Sequence, residues 1–464
     1  MRSTLSCDYL VIGAGALGMT FVDEMLTASD ATFVMVDRHH LPGGHWNDAY
    51  PFVRLHQPSA FYGAGSKVLG SNRIDESGFN RGYYELASGA EVLSYFEQLM
   101  RERFLPSGRV QYFPLSEYTD SNRFVSLLSK QVREVTVRRR IVDATFFNTA
   151  VPSTQPPRYR IAKGVNVVTP NQLPSKVEAH RRFTIVGGGK TGMDVGVWLL
   201  QHGAAPEAIR WIVPRDSWLI NRETVQPGDA FAHRFMDARA RQLEACAQAK
   251  SVKHLFQLLE QADVLLRLDS NVTPTMYHNA TIALGEIEAL RTIGEIVRKG
   301  RVQQIEAERI ILDEGEVDAR PDDLYIDCSA SALAVRDTHQ VFEPGRITLQ
   351  MIRKGLFCYS AAAIAHVEAT IDCDEERNRL CPPMAMPDAA EDWLRLTHAD
   401  QQISQRWTQD ESLRQWMGQH RLTGANLRTA NKGEPDPEMD SIKARMHKVG
   451  AAAMENLERL LTHL

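Results

Sequence analysis

Residues able to hold a dinucleotide stand at two places in the chain. In "DYLVIGAGALGMTFVDEML", Gly13, Gly15 and Gly18 follow an apolar run and open a helix-forming one. In a G-x-G-x-x-G turn the first glycine permits the tight turn, the second lets the backbone approach a pyrophosphate, and the third lets helix and strand pack closely. The helix start then offers free N–H groups and the positive end of its dipole to phosphates. "ATFVMVDRHH" reads as a second strand ending in Asp37, with Arg38 beside it. An acid there can accept from the hydroxyls of an adenosine ribose. A lone glycine pattern is weak, but strand, glycines, helix, second strand and acid in this order are a strong sign.

The pattern returns in "RRFTIVGGGKTGMDVGVWLLQHG" at Gly187, Gly189 and Gly192. Here the next strand, "IRWIVPRDSW", ends in Arg215 and not in an acid. An acid would repel a phosphate on the adenosine ribose, whereas arginine pairs with one in bidentate fashion, so NADPH is expected over NADH. Lys190 and Thr191 lie in the turn, within reach of a pyrophosphate or the nicotinamide side. Lys190 is equally readable as a solvated lysine, and Arg215 as an ordinary surface arginine. Two such sites argue for two different dinucleotides, a bound FAD at the first and an exchanging NADPH at the second.

Between them lies "LPGGHWNDAYPFVRLHQPSAFYG", residues 41 to 63, too irregular for a helix and too polar for a core strand. Gly43 and Gly44 allow close backbone approach. His45 and Trp46 can bond to or stack on a cofactor. Arg54, His56 and Gln57 are the candidates for the redox face, His56 and Gln57 as donors and Arg54 as an anchor. A packing role for His56 and an ion-pair role for Arg54 remain as open as the functional ones.

These stretches resemble the class B flavin-dependent monooxygenases, which include YUCCA-type, Baeyer–Villiger and N-hydroxylating enzymes. "GGHW" is similar to the family's G-G-T-W. Arg54-Leu55-His56-Gln57-Pro58 is similar to its L-x-L-H-x-P, and Tyr50, Pro51 and Arg54 to its Y-P-G-A-R-C-D. The resemblance spans roughly residues 5 to 370. The Baeyer–Villiger fingerprint, which would precede the second glycine turn, is missing from "YRIAKGVNVVTPNQLP", and the A-T-G segment survives only as "FFNTAVPS". The resemblance implies NADPH-dependent insertion of one oxygen atom of dioxygen into a small molecule through a flavin hydroperoxide. An amine nitrogen or other soft centre is expected over a ketone. An NADPH-dependent flavin reductase or oxidase without oxygen transfer, and a non-catalytic FAD scaffold, are the alternatives. The lack of a close cysteine pair disfavours a dithiol reductase.

The elements that must position these residues give an α/β fold. It has two Rossmann-like domains, for FAD and NADPH, with a helical insertion and a helical C-terminus. The expected boundaries are 1–175 for the first part of the FAD domain and 176–320 for the NADPH domain. The apolar spacing over about 228–300 predicts a helical insertion, and 321–464 is expected to complete the FAD domain. "DDLYIDCSASAL" (322 to 333) is expected to be the strand that rejoins the FAD domain. "GLFCYSAAAIAHVEAT" (355 to 370) is read as a further strand running into small residues. The 464 residues, 43% hydrophobic and 24% charged, make an ordinary globular chain. A net charge of -5 gives no reason to expect nucleic acid. No apolar run approaches membrane-spanning length and the N-terminus lacks a signal-peptide pattern, so a cytoplasmic protein is expected. No metal site is expected, and a homo-oligomer is left open.

Overall fold

The computed structural model describes residues 5–179, 181–320, 322–330, 336–424 and 435–464. The first body contains β1 (Leu5–Ile12), α1 (Ala16–Ala28), β2 (Phe33–Val36), α2 (Gly89–Leu99) and β3 (Val110–Phe113), then the meander β4 (Ser116–Tyr118), β5 (Arg123–Ser126) and β6 (Val132–Asp143). β1 lies between β2 and β6, parallel to both, and β2 pairs in parallel with β3. All four residues of β2 are buried, as expected for a parallel strand covered on both faces.

A second group of sheets, the second body, follows. It runs through β7 (Arg160–Ile161), β8 (Val167–Val168), β9 (Arg182–Val186), α3 (Lys190–Gln201), β10 (Ile209–Ile212) and β11 (Ser217–Asn221). Next come α4 (Ala232–Gln248), α5 (Val252–Gln261), β12 (Leu265–Leu266), β13 (Met276–Ile282), α6 (Leu284–Arg291), β14 (Glu295–Val297), β15 (Val302–Ile305), β16 (Arg309–Leu312), β17 (Gly315–Asp318) and β18 (Asp323–Asp327). Its main sheet is parallel throughout, in the order β14-β10-β9-β18-β8. Smaller sheets β12-β11-β13 and β17-β16-β15-β7 flank it.

Three expectations are corrected here. The segment from 322 is a central strand of the second sheet, paired with β9 and β8, and does not rejoin the first; its residues 331–333 lie outside the described residues. The chain re-enters the first sheet at β19 (Phe342–Glu343) and β20 (Arg346–Thr348), with β20 parallel to β6. Second, the insertion is continuously helix-rich only as far as Gln261; beyond it strands alternate with one short helix, α6. β-Branched Thr281 and Ile282, and later Ile296 and Val297, end two strands around the short α6, since such side chains suit a pleated surface better than a helix.

Third, residues 355 to 370 carry a helix, α7 (Phe357–Thr370). Alanines dominate it, and alanine has the best intrinsic helix propensity. Small side chains also let it pack closely beside α1, and ten of its residues are buried. The chain ends in α8 (Asp374–Leu380), α9 (Asp392–Gln409), α10 (Glu411–Gln419) and α11 (Pro437–Thr462). Trp393, Trp407 and Leu457 from these helices join the large core that runs from the first sheet to α4 and α5, and α11 packs along α4. Among the described residues, no helix is long and apolar enough to cross a membrane.

Candidate functional site

The two glycine turns have nearly the same geometry. Gly13 has φ +99 and Gly187 φ +126, a region that non-glycine residues rarely adopt. A Cβ on Gly18 would lie 2.1 Å from the Gly13 carbonyl oxygen, and one on Gly192 would lie 2.2 Å from that of Gly187. Only glycine permits these helices to sit so close to the strands before them. Gly15 and Gly189 are the N-caps of α1 and α3, with ψ -177 and -179, and neither helix start has a side-chain cap or an acid in its first turn. The first helical bonds are Met19 N–H to Gly15 O and Met193 N–H to Gly189 O, at 2.9 and 3.1 Å. The N–H groups of Ala16, Leu17 and Gly18, and of Lys190, Thr191 and Gly192, precede them and have no intrahelical partner.

The 41–63 loop packs directly on the first turn. Gly43 N–H donates to Ala14 O (2.8 Å), and a Cβ on Gly44 would lie 3.0 Å from the Gly15 Cα. Gly44 begins a short 3-10 turn, Gly44–Asn47, which places His45 and Trp46. Their rings stack with centroids 5.2 Å apart, and Trp46 Nε1 donates to the Tyr62 hydroxyl at 2.7 Å. Burial, then the neighbouring His39, lowers the His45 pKa to about 4, so its imidazole is neutral. Asp37 is 5% exposed and already engaged: its Oδ2 accepts from Ala14 N–H (2.6 Å) and its Oδ1 from His39 N–H (2.8 Å). Arg38 is exposed beside it.

Farther along, the same loop is bound to the second body. The Tyr50 hydroxyl donates to Asp194 Oδ2 at 2.6 Å, and Asp194 Oδ1 takes the Lys190 ammonium. Phe52 stacks on Trp198 of α3 at 4.9 Å. Arg222, fully buried, donates to the His56 carbonyl (2.9 Å) and to Asn80 Oδ1 (3.1 Å), and pairs with Glu286 at 2.8 Å. The His56 imidazole is half-buried; burial, then the Lys190 and Arg222 cations, push its pKa well below the ordinary value and keep it neutral. Gln57 is half-buried next to it. Arg54 points elsewhere: it is exposed and its Nη1 donates to Leu86 O at 3.0 Å. Thr191 is half-buried in the first turn of α3.

Arg215 lies against the second glycine turn, its carbonyl oxygen 3.2 Å from where a Gly188 Cβ would be. Its guanidinium is held by Asp388 through Nη1 (3.0 Å) and Nη2 (2.5 Å).

Several residues at this centre carry no sequence signal. Asp194 and Arg222 act through contacts between distant segments. Arg421, just after α10, donates to the carbonyls of Ala60, Tyr62 and Ala64 at 2.6–3.0 Å and fixes the end of the loop. Asn279 has φ +56 in a bulge of β13, and both polar atoms of its amide are buried without a hydrogen-bond partner. A Cβ on Gly355, at the entrance to α7, would lie 3.8 Å from the Asn279 Cγ. Lys354 is next to it; its Nζ lies 4.3 Å from the Trp393 ring centroid and donates to Thr397 Oγ1 at 2.6 Å.

No family model matches the chain. The Mycobacterium tuberculosis "Uncharacterized protein Rv2000" is 49% identical over 419 residues, 90% of this chain and 78% of that protein. The Mycobacterium bovis "Uncharacterized protein Mb2023" aligns with the same figures. The chain belongs to their family. Over 195 residues it is 26% identical to the Bacillus subtilis "Uncharacterized oxidoreductase CzcO", covering 41% of this chain and 51% of that one. Solved structures similar to it include a flavin-containing monooxygenase from Stenotrophomonas maltophilia, with TM-score 0.46, 14% identity and coverage of 82% of this chain and 100% of that one. An open crystal structure of cyclohexanone monooxygenase gives TM-score 0.48 and 14% identity, over 98% of this chain and 99% of that one.

Proposed function

We propose that the chain is an FAD-containing, NADPH-dependent monooxygenase that inserts one oxygen atom of dioxygen into a small molecule, at an amine nitrogen or other soft centre. One observation carries this: two uncapped, glycine-built helix starts face a single loop, and that loop is hydrogen-bonded to the second helix through Tyr50 and Asp194. A redox enzyme needs its two dinucleotides brought together, and this loop joins their two sites. The name of the Bacillus subtilis relative agrees with an oxidoreductase.

The residues fit both groups. Each helix start offers three N–H groups to a pyrophosphate, and the buried amide of Asn279 lacks the partners that a ligand would bring. Gly13, Gly15, Gly18, Asp37, Arg38, Gly44, His45 and Trp46 would hold FAD. Gly187, Gly189, Lys190, Thr191, Gly192 and Arg215 would hold NADPH. Bound there, the two dinucleotides would supply the hydride and electron transfer to dioxygen, and the protein's part would be to orient them and keep water out. His56, being neutral, offers a hydrogen bond without carrying charge into the site, and Gln57 offers an amide. Arg54 would serve as an anchor only by giving up the Leu86 carbonyl.

The test is stoichiometry. FAD-loaded protein is incubated with NADPH, air and a panel of primary amines, and NADPH oxidation, peroxide and oxygenated amine are measured. Oxidation stimulated by an amine, with product matching NADPH consumed, supports oxygen transfer. Peroxide matching NADPH with every amine, and no product, leaves an oxidase; no NADPH oxidation at all leaves a scaffold.

A further inference from the structure

The guanidinium of Arg215 lies where the adenosine end of the exchanging dinucleotide is expected, and it is occupied by the chain itself. Asp388 meets it with both carboxylate oxygens, at 3.0 and 2.5 Å, and His278 Nε2 lies 3.0 Å from Oδ1 of the same carboxylate. All three side chains are open to solvent, Arg215 at 38%, Asp388 at 44% and His278 at 43%.

Their backbones are fixed. Tyr277 N–H donates to Asp388 O and Ala390 N–H to Thr275 O, both at 3.1 Å, so this segment lies against β13. The N–H groups of Asp388 and Ala389 both donate to Asp392 Oδ2 at 2.9 Å. The Asp388 side chain can therefore swing away while its main chain stays in place. Arg298, just beyond the end of neighbouring β14, is bound differently: Asp216, 5% exposed, accepts from it at 2.8 and 3.2 Å, and Asp269 is 3.4 Å away. That pair has a buried partner and is not readily exchanged.

We propose that Asp388 is a built-in occupant of the 2′-phosphate subsite, and that Arg215 and His278 exchange it for the phosphate of NADPH. The inference rests on the NADPH reading above and adds two residues to it. A carboxylate on a guanidinium fork has the shape of the phosphate contact. A phosphate monoester carries a charge of about −1.5 to −2 and three acceptor oxygens, against one charge and two oxygens for a carboxylate. NADP(H) can therefore displace Asp388, whereas NAD(H) brings only a hydroxyl and leaves the pair closed. Asp388 thus works against every occupant of the subsite and is overcome only by a dianion, which makes it a specificity-determining residue.

The test is equilibrium binding of NADP+ and of NAD+ to the FAD-loaded protein, read by titration calorimetry at low salt. Asp388→Asn removes the competing charge and keeps the side-chain shape. It is expected to tighten NADP+ about fivefold, as expected for loss of a half-exposed ion pair. NAD+ binding should change far less. His278→Gln is expected to weaken NADP+ and leave NAD+ in place. NADP+ affinity that is unchanged or lowered in Asp388→Asn overturns the proposal, as does His278→Gln with wild-type affinities. Arg215→Ala separates the two levels of the argument. If it lowers NADP+ affinity while Asp388→Asn has no effect, only the Asp388 proposal fails. If it leaves NADP+ and NAD+ binding unchanged, the phosphate reading of this groove fails with it.

Discussion

Replacing Arg222 tests how tightly the loop is bound to the second body. Arg222 is fully buried and gives three contacts: the His56 carbonyl at 2.9 Å, Asn80 Oδ1 at 3.1 Å and the Glu286 carboxylate at 2.8 Å. Arg222→Met keeps most of the stem and removes all three. Breaking one side of a buried ion pair costs about 3–5 kcal/mol. Glu286 is not left wholly unsupported, because it accepts from Ala283 N–H at 2.8 Å in the first turn of α6. A carboxylate at a helix start keeps about 0.3–1 kcal/mol of favourable interaction, which places the charge term near its lower bound. The two orphaned acceptors add about 1 kcal/mol. The sum, about 4 kcal/mol, corresponds to a fall of about 10 °C in the melting temperature of a domain of roughly this size. Thermal unfolding of the FAD-loaded protein measures it. The double variant Arg222→Met/Glu286→Gln should regain a large part of the loss, because it no longer leaves a lone buried charge. A single variant melting within about 2 °C of the wild type would refute the reasoning.

Two further outcomes are expected. Gly18→Ala should abolish retention of FAD, since its Cβ would lie 2.1 Å from a carbonyl oxygen, while Gly192→Ala should leave FAD bound and abolish NADP+ binding; flavin absorbance after gel filtration and NADP+ titration read the two separately. Burial brings the Lys354 pKa down to about 7, against about 10.4 in an unfolded chain, so between these values the unfolded state holds more protons and stability rises with pH. Lys354→Met should therefore be more stable than the wild type below about pH 7, with the advantage fading toward pH 10. The Trp393 ring at 4.3 Å favours the cation and limits the gain to about 1–2 kcal/mol. Urea unfolding at several pH values checks this; a difference that does not vary with pH would sink it.

Local chemistry was legible in the sequence wherever one residue's type was decisive. The glycines at 13, 18, 187 and 192 could be read because no other side chain fits the backbone conformation or the close approach at those turns, and Gly15 and Gly189 because they complete the same spacing. The strands around them were readable as unbroken apolar runs, which is how strands buried on both faces appear. α7 was misread because "GLFCYSAAAIAHVEAT" is apolar all round, so it shows no helical period, and its length and alanine content had to decide instead. The strand at 323–327 was assigned to the wrong sheet because a short apolar run does not reveal its partner. Arg222, Arg421 and Asn279 left no sequence signal because a surface arginine and a buried one are the same letter. Their role depends on segments brought together from across the chain, as Arg421 is with Ala60.

The same distinction explains the 41–63 loop. Its two glycines and His45-Trp46 belong to the first turn, packed on Gly15 and tied to Ala14. From Tyr50 to His56 it belongs to the second body, held by Asp194, Trp198 and Arg222. Beyond that, Arg421 of the C-terminal segment grips its far end. Together with residues 85–89, which exchange main-chain hydrogen bonds with Val53, Leu55 and Ser59, these parts of the chain fix one irregular segment from several sides. Such a segment can keep a fixed shape only where its backbone polar groups find partners elsewhere. Its irregularity is what lets it run from one glycine turn to the other within so few residues, a path that neither a helix nor a strand could follow.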